Sequence, residues 1–299
     1  MKKKLRSLLC LILCMSACMT CRVDAFFWGS NAACISALLQ SIPRPEKEKV
    51  IPALMYHHIS DDVRNSMVVT PEKLESDLVA LKEAGYETLL PAEFIQRYLT
   101  GTLPEKPLLL TFDDGYESNY EYLFPLLKKY EMKATIFAIG STLGRTTMPD
   151  QFGTPITPHF TAEQGREMVE SGYVSIQPHS YSMHFMRTFP EERVYGIEQM
   201  AGETEEEYRT RFENDFRSAS YVLEQIGEPV VAYSYPFGLR NDIAEEVLRE
   251  NGVYLVFMTN DTLTYVDSPD DLMRIQRLNV TNTMSSQIIL DRLALLTGQ

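Results

Sequence analysis

The chain has 299 residues, 44% of them hydrophobic and 23% charged, with a formal net charge of −13 at neutral pH. That length can bury a large core and suits one domain of barrel size, while the acidic balance lacks the basic face of a nucleic-acid binder, so no nucleic-acid partner is expected. All five cysteines (Cys10, Cys14, Cys18, Cys21 and Cys34) precede residue 35, which excludes a disulfide framework or a cysteine-based metal site from the body of the chain.

Residues 1–17 begin Met-Lys-Lys-Lys-Leu-Arg and continue as an apolar run from Leu8 to Met15. This is the charged head and apolar body of an export signal, too short to span a membrane as a stable helix. Met15-Ser16-Ala17-Cys18 resembles a bacterial lipoprotein box, in which Cys18 would be lipidated and begin the mature protein; cleavage near Ala25 is the competing reading. Losing Lys2, Lys3, Lys4 and Arg6 with that segment would take the charge to −17. Residues 18–49, with Pro43, Pro45 and a mixed-charge run, read as a tether, and 50–299 as one domain without internal repeats.

Ile51–Tyr56 is a short apolar run ending in His57 and His58. Thr70-Pro71 opens a helix that closes at Gly85, and a second helix runs from Pro91 to near Gly101. Leu108–Phe112 is one buried strand, stopped abruptly by Asp113-Asp114-Gly115. A helix over about 120–130, a strand over 134–139 and a loop over 141–160 follow. Thr161 and Gln164 form a capping box for a helix closing at Gly172. A strand at 174–177 leads into Pro178-His179-Ser180-Tyr181-Ser182-Met183-His184. Residues 185–207 are acidic and irregular, an insertion or a lid. A helix to Gln225, a strand to Tyr235, the turn Pro236-Phe237-Gly238, a helix over 242–251, strands at 253–258 and 277–280, and a closing helix from Ser285 complete the chain. Strands alternating with glycine-punctuated helices predict α/β architecture: a distorted, incomplete (β/α) barrel of six or seven parallel strands.

Carboxyl ends of parallel strands carry chemistry in such folds. There, two adjacent carboxylates can divide between metal ligation and base catalysis, although a plain turn and helix cap also favour Asp and Gly. His179 and His184 are five apart, about 140° apart around a regular helix, so they converge only in a loop. Two histidines and a carboxylate leave coordination positions open for water and substrate; a surface histidine pair is the bland alternative.

Thr111-Phe112-Asp113-Asp114-Gly115 together with His179-Ser180-x-x-x-His184 resembles the polysaccharide deacetylases of carbohydrate esterase family 4, the NodB-homology domain. Met55-Tyr56-His57-His58 and Tyr235-Pro236-Phe237-Gly238 look more specifically like its exported poly-N-acetylglucosamine deacetylase branch, from about Val50 to Leu296. The resemblance implies that Asp114, His179 and His184 hold one divalent metal, zinc or else cobalt, nickel, manganese or iron. It implies Asp113 as general base and the Phe237 N–H as an oxyanion donor. Ser234 stands where the family's third motif usually has the arginine that orients the base; Arg277 is the first substitute and Arg274 the second. No histidine follows His184, so the general acid is sought at His57, with His58 as runner-up. His159 receives no role.

Tyr116, Tyr181 and Tyr235 are expected to bind sugar rings. The implied protein is an exported, monomeric N-deacetylase of an N-acetylglucosamine-containing polysaccharide, on the outer face of the cell membrane through Cys18, or secreted. An O-acetyl esterase acting on a glycan such as xylan, or a silent glycan-binding protein of the same fold, are the alternatives.

Overall fold

The computed structural model describes residues 49–148, 152–188 and 193–298. They lie in one of the chain's two units, Ile42–Gln299; the segments expected to be an export signal and, up to residue 48, a tether, and all the cysteines, Cys18 included, lie outside the described residues.

The first apolar run divides at Pro52, which cannot donate to a ladder. Strand β1 (Lys49–Ile51) goes one way and β2 (Ala53–Tyr56) the other, and β3 (His58–Ile59) and β4 (Val68–Val69) form a short parallel pair. Helix α1 (Pro71–Glu83) is capped by the Thr70 hydroxyl, which accepts from the Lys73 N–H at 3.2 Å. Then come β5 (Glu87–Thr88), α2 (Pro91–Thr100) and the long strand β6 (Pro107–Asp114). The helix expected over 120–130 starts instead as a π turn, Asn119–Leu123, before α3 (Phe124–Tyr130).

Strand β7 (Ala134–Ala138) precedes α4 (Ala162–Glu170), whose capping box joins Thr161 and Gln164. β8 (Val174–Pro178) follows. The stretch read as irregular contains an antiparallel hairpin of β9 (Met186–Thr188) and β10 (Arg193–Tyr195). The remainder is α5 (Glu205–Glu224), β11 (Ala232–Ser234), α6 (Asp242–Glu250), β12 (Leu255–Phe257), β13 (Thr264–Val266), β14 (Leu278–Asn279) and α7 (Ser286–Thr297).

Six strands form one parallel sheet in the order β14-β2-β6-β7-β8, with β5 also on β6. β11 and β12 form a separate parallel pair, and β13 pairs antiparallel with β1. Residues 108–114 of β6 and all of β7 and β8 are buried, as continuous apolar runs in a parallel sheet require. The core beneath them is built from residues such as Leu54, Leu78, Leu110, Phe112, Ile136 and Ile176.

Among the described residues the ladder does not close, and side chains bridge its gaps. Between β8 and β11, the buried Gln177 Oε1 accepts from the Val231 and Ala232 N–H groups, both at 2.9 Å, and its Nε2 donates to the Pro229 carbonyl at 3.2 Å. Glu228 accepts from the Ser175 hydroxyl at 2.7 Å and the Ile176 N–H at 2.9 Å. Beyond β12, the Met258 N–H reaches the Ile275 carbonyl at 2.8 Å.

Buried Asp77 ties β2, α1 and α7 together. Its carboxylate accepts from the Tyr56 hydroxyl at 3.0 Å and the Ser286 hydroxyl at 2.6 Å, and pairs with Lys73. Asp77→Ala leaves these donors without their acceptor and should cost about 3 kcal/mol. Equilibrium denaturation checks this; a loss under 1 kcal/mol would refute the staple.

Candidate active site

The carboxyl ends of β2, β6, β8 and β11 supply the candidate residues, as the parallel topology dictates. Three of these ends turn on side-chain-bearing residues at positive φ: Asp114 (78°), Ser180 (73°) and Phe237 (59°). Non-glycine residues rarely adopt this conformation, and it clusters where geometry is functionally constrained. Gly115 follows at φ 83°, and a Cβ there would stand 3.0 Å from the Ala138 Cβ, so only glycine fits without the neighbour giving way.

Asp114, His179 and His184 come together, with one donor atom from each within 4.8 Å of the others. The Asp114 Oδ1 lies 3.7 Å from the His179 Nε2 and 3.4 Å from the His184 Nε2. Donors each about 2.1 Å from one ion at a tetrahedral angle would be about 3.4 Å apart, so the set fits a small divalent cation. Two further observations favour the fit. The buried Asp114 Oδ1 has no hydrogen-bond partner among the described residues. The His179 Nδ1 lies 2.8 Å from the Ser234 carbonyl, which fixes the proton on that nitrogen and leaves the Nε2 lone pair facing the carboxylate. Burial lowers the His179 pKa to about 4, partly offset by the Asp113 charge, so the ring is neutral at physiological pH, as ligation of a cation requires.

Asp113 has the opposite fate. Arg277 grips both its oxygens, Nη1 to Oδ1 and Nη2 to Oδ2, each at 2.7 Å. Burial alone would push the carboxyl up, but the guanidinium beside it prevails and holds it well below the ordinary range. The remaining Arg277 donors reach the Thr111 hydroxyl (2.9 Å), the Met258 carbonyl (3.0 Å) and the Ser234 hydroxyl (2.9 Å). Ser234 thus serves an arginine supplied by the segment just before β14. Arg274 is elsewhere, paired with Glu245.

Of the first-strand histidines, His57 is the one coupled electrostatically to Asp114, Asp113 and His184; burial lowers its pKa, the carboxylates oppose this, and its buried Nδ1 lacks a partner among the described residues. The His58 Nδ1 is bound to the Ser118 hydroxyl at 2.9 Å. The Asn119 side chain donates to the His57 carbonyl at 3.1 Å, so the π turn after the carboxylate pair also holds the histidine pair. The Phe237 ring stacks on His184 with centroids 4.5 Å apart, which brings this turn against the candidate metal ligands.

The aromatic expectations need revision. Tyr235 is fully buried, edge-on to Tyr233 in the second core cluster, and offers no face to a sugar. Burial and the Asp114 charge beside it raise the Tyr116 pKa, and its ring lies between His58 and His159. His159, given no role above, is buried against that ring. Tyr181 is half-buried and packs over Gly140, where a Cβ would come within 2.8 Å of its ring.

Asp215 escaped sequence reasoning. From α5, its buried carboxylate accepts from the Tyr181 N–H (2.7 Å), the Ser182 N–H (2.8 Å) and the Ser182 hydroxyl (3.1 Å). It anchors the loop between the two histidines. One acidic residue in an acidic helix carries no sequence mark of that role.

Comparison with known proteins agrees with this geometry. Residues 100–256 match the family model described as polysaccharide deacetylase. The chain is 41% identical over 138 residues to the Bacillus subtilis protein YxkH, which carries a polysaccharide deacetylase name; this covers 46% of the chain and 44% of that protein. It is 26% identical over 271 residues to the poly-β-1,6-N-acetyl-D-glucosamine N-deacetylase of Escherichia coli K12, covering 81% of the chain and 40% of that protein. The chain thus spans less than half the length of these two relatives. Among solved structures, IcaB from Ammonifex degensii superposes with a TM-score of 0.67 at 27% identity, over 81% of this chain and 96% of that one.

Arg277→Met leaves Asp113 buried without its counter-charge and should cost about 3–5 kcal/mol. The pH dependence should also invert. In the native chain the depressed Asp113 pKa contributes stability that is present above the ordinary value of 3.8 and lost as pH falls below it. In the variant, burial alone raises the pKa, so stability is lost as pH rises. Adding Asp113→Asn should recover much of the loss. Denaturation measured across pH checks all three; unchanged curves would refute the clamp.

Proposed function

The chain belongs to the polysaccharide deacetylase family, and from that premise we propose that it removes acetyl groups from N-acetylglucosamine residues of a polysaccharide. One observation carries the reading: two adjacent carboxylates with opposite surroundings, Asp113 clamped by Arg277 and Asp114 left open beside two histidines. The names of the Escherichia coli relative and of matching staphylococcal proteins, poly-β-1,6-N-acetyl-D-glucosamine N-deacetylases, support the substrate class.

A divalent ion held by Asp114, His179 and His184, with zinc first among the candidates, would polarise the acetamide carbonyl and lower the pKa of water. Asp113 takes the proton from the attacking water. Arg277 keeps that carboxylate ionised and fixes its plane, so little reorientation is needed as the proton moves. The Phe237 N–H donates to the developing oxyanion. His57 gives a proton to the nitrogen as the C–N bond breaks, and acetate and a free amine result.

In the same reading residues 1–17 direct export and Cys18 carries the lipid that holds the domain at the outer face of the membrane. The charged head, the apolar stretch and the Met15–Cys18 box support it. Cys18→Ser should move the protein from the membrane fraction to the soluble one in its native host; an unchanged distribution would refute the anchor.

Acetate release from poly-N-acetylglucosamine oligomers tests the chemistry. The full-length chain should release acetate, lose this activity to a chelator, regain it on metal addition, and fall by about 10³-fold or more in Asp113→Asn. Release from acetylated xylan alone would reassign the protein as an esterase. No release from either would leave a glycan-binding role.

A further inference from the structure

A groove of about 690 Å³ opens between the loop that carries both metal-ligand histidines and one face of α5, with Met200 at its edge. It contains none of the three candidate metal ligands. Tyr181 and Phe185 line it from the loop, so the same short segment supplies His179 and His184 to the candidate site and two rings to the groove. Across from them, Glu206, Thr210, Asn214 and Ser218 are all exposed and stand one helical turn apart. This polar stripe runs about 18 Å, long enough for several sugars.

The charge lining the groove is mostly acidic. Glu206, Glu207 and Asp215 line it, and Arg211 is the one basic residue among its described lining residues; the Arg187 guanidinium lies 5.1 Å from the centre of the Phe185 ring. Arg211 is already engaged, with Nε and Nη2 on Glu203 at 2.6 and 2.8 Å, Nη1 on the Gly196 carbonyl at 2.8 Å, and Nη2 on the Glu198 carbonyl at 2.8 Å. The Thr204 N–H and hydroxyl hold the Glu207 carboxyl below its usual range and keep it ionised. An apolar wall facing carboxylates suits a ligand with apolar ring faces and positive charge. An N-acetylated sugar is neutral and gains little from the carboxylates. Hydrolysis of the acetamide liberates an amine that is protonated near neutral pH.

We propose that this groove binds the deacetylated, glucosaminium-bearing stretch of the polymer, with sugar faces against Tyr181 and Phe185 and ammonium groups toward Glu206 and Glu207. The inference rests on the substrate class proposed above. It gives the protein a product-side subsite, so that a chain already deacetylated nearby is held while the next acetamide reaches the candidate site.

Titration of the full-length chain with a β-1,6-linked glucosamine hexamer and its N-acetylated counterpart, at low and high salt, tests the idea. The deacetylated hexamer should bind more tightly, and that advantage should shrink with salt. Glu206→Lys should weaken it about tenfold, while Glu83→Lys, the same charge change at an exposed site on α1, should stay within twofold. Acetate release from short acetylated oligomers should be unchanged in Glu83→Lys. Equal affinity for the two hexamers, or equal losses in the two variants, would overturn the proposal. If acetate is released and the hexamer does not bind, the groove reading alone fails. If the hexamer binds in the groove and no substrate releases acetate, the enzymatic reading fails and the subsite survives as a cationic-glycan site.

Discussion

The rest of the structure depends on a guanidinium with no exposure to solvent. Arg277 carries five N–H donors, and each finds an acceptor: two on Asp113, one each on Thr111, Ser234 and the Met258 carbonyl. The Phe137 and Phe257 rings flank it at 5.6 and 5.7 Å. A buried charge is tolerable only when its partners are this complete. These contacts stitch β6 to β11, to the end of β12 and to the entry of β14, beside the backbone bonds that join Val256 and Met258 to Ile275. The group that orients the proposed base is therefore also part of the barrel's closure, so chemistry and fold cannot be altered independently at this point.

The same economy governs the neighbouring carboxylate. Successive residues of a strand point to opposite faces, so Asp113 is directed into the Arg277 pocket while Asp114, turned further by its positive φ, meets the histidines. Gln177 and Glu228 close a second seam by accepting from backbone N–H groups that a ladder would otherwise satisfy. At these seams the Gln177, Glu228 and Arg277 side chains answer the requirement that a donor removed from water find an acceptor.

Much of this was legible in the sequence because it is written locally. The Thr70 cap, the Thr161–Gln164 box and the apolar run into Asp113-Asp114-Gly115 each involve residues within a few positions of one another, and the structure has them all. The five-residue spacing of His179 and His184 required a loop, and a loop is what Asp215 anchors. What could not be read depends on pairs distant in sequence. Arg277 emerged as a partner of Asp113 only because a family pattern made the absence of an arginine at Ser234 conspicuous. Gln177, Asp215 and His159 carry no pattern at all. Tyr235 misled because a tyrosine beside a motif looks the same whether its ring faces solvent or, as here, the core beneath the turn.

Asp114, Ser180 and Phe237 hold a conformation that costs an L-residue about 1–2 kcal/mol and glycine almost nothing. Phe237, with the bulkiest side chain of the three and a stacking contact on His184, represents the largest reserve of this kind. A library of variants selected only for survival on heating would be drawn to glycine at these positions. It would yield sturdier proteins that had lost the Asp114 carboxylate and the Phe237 ring over His184, because three of the fold's strained positions lie in the candidate site.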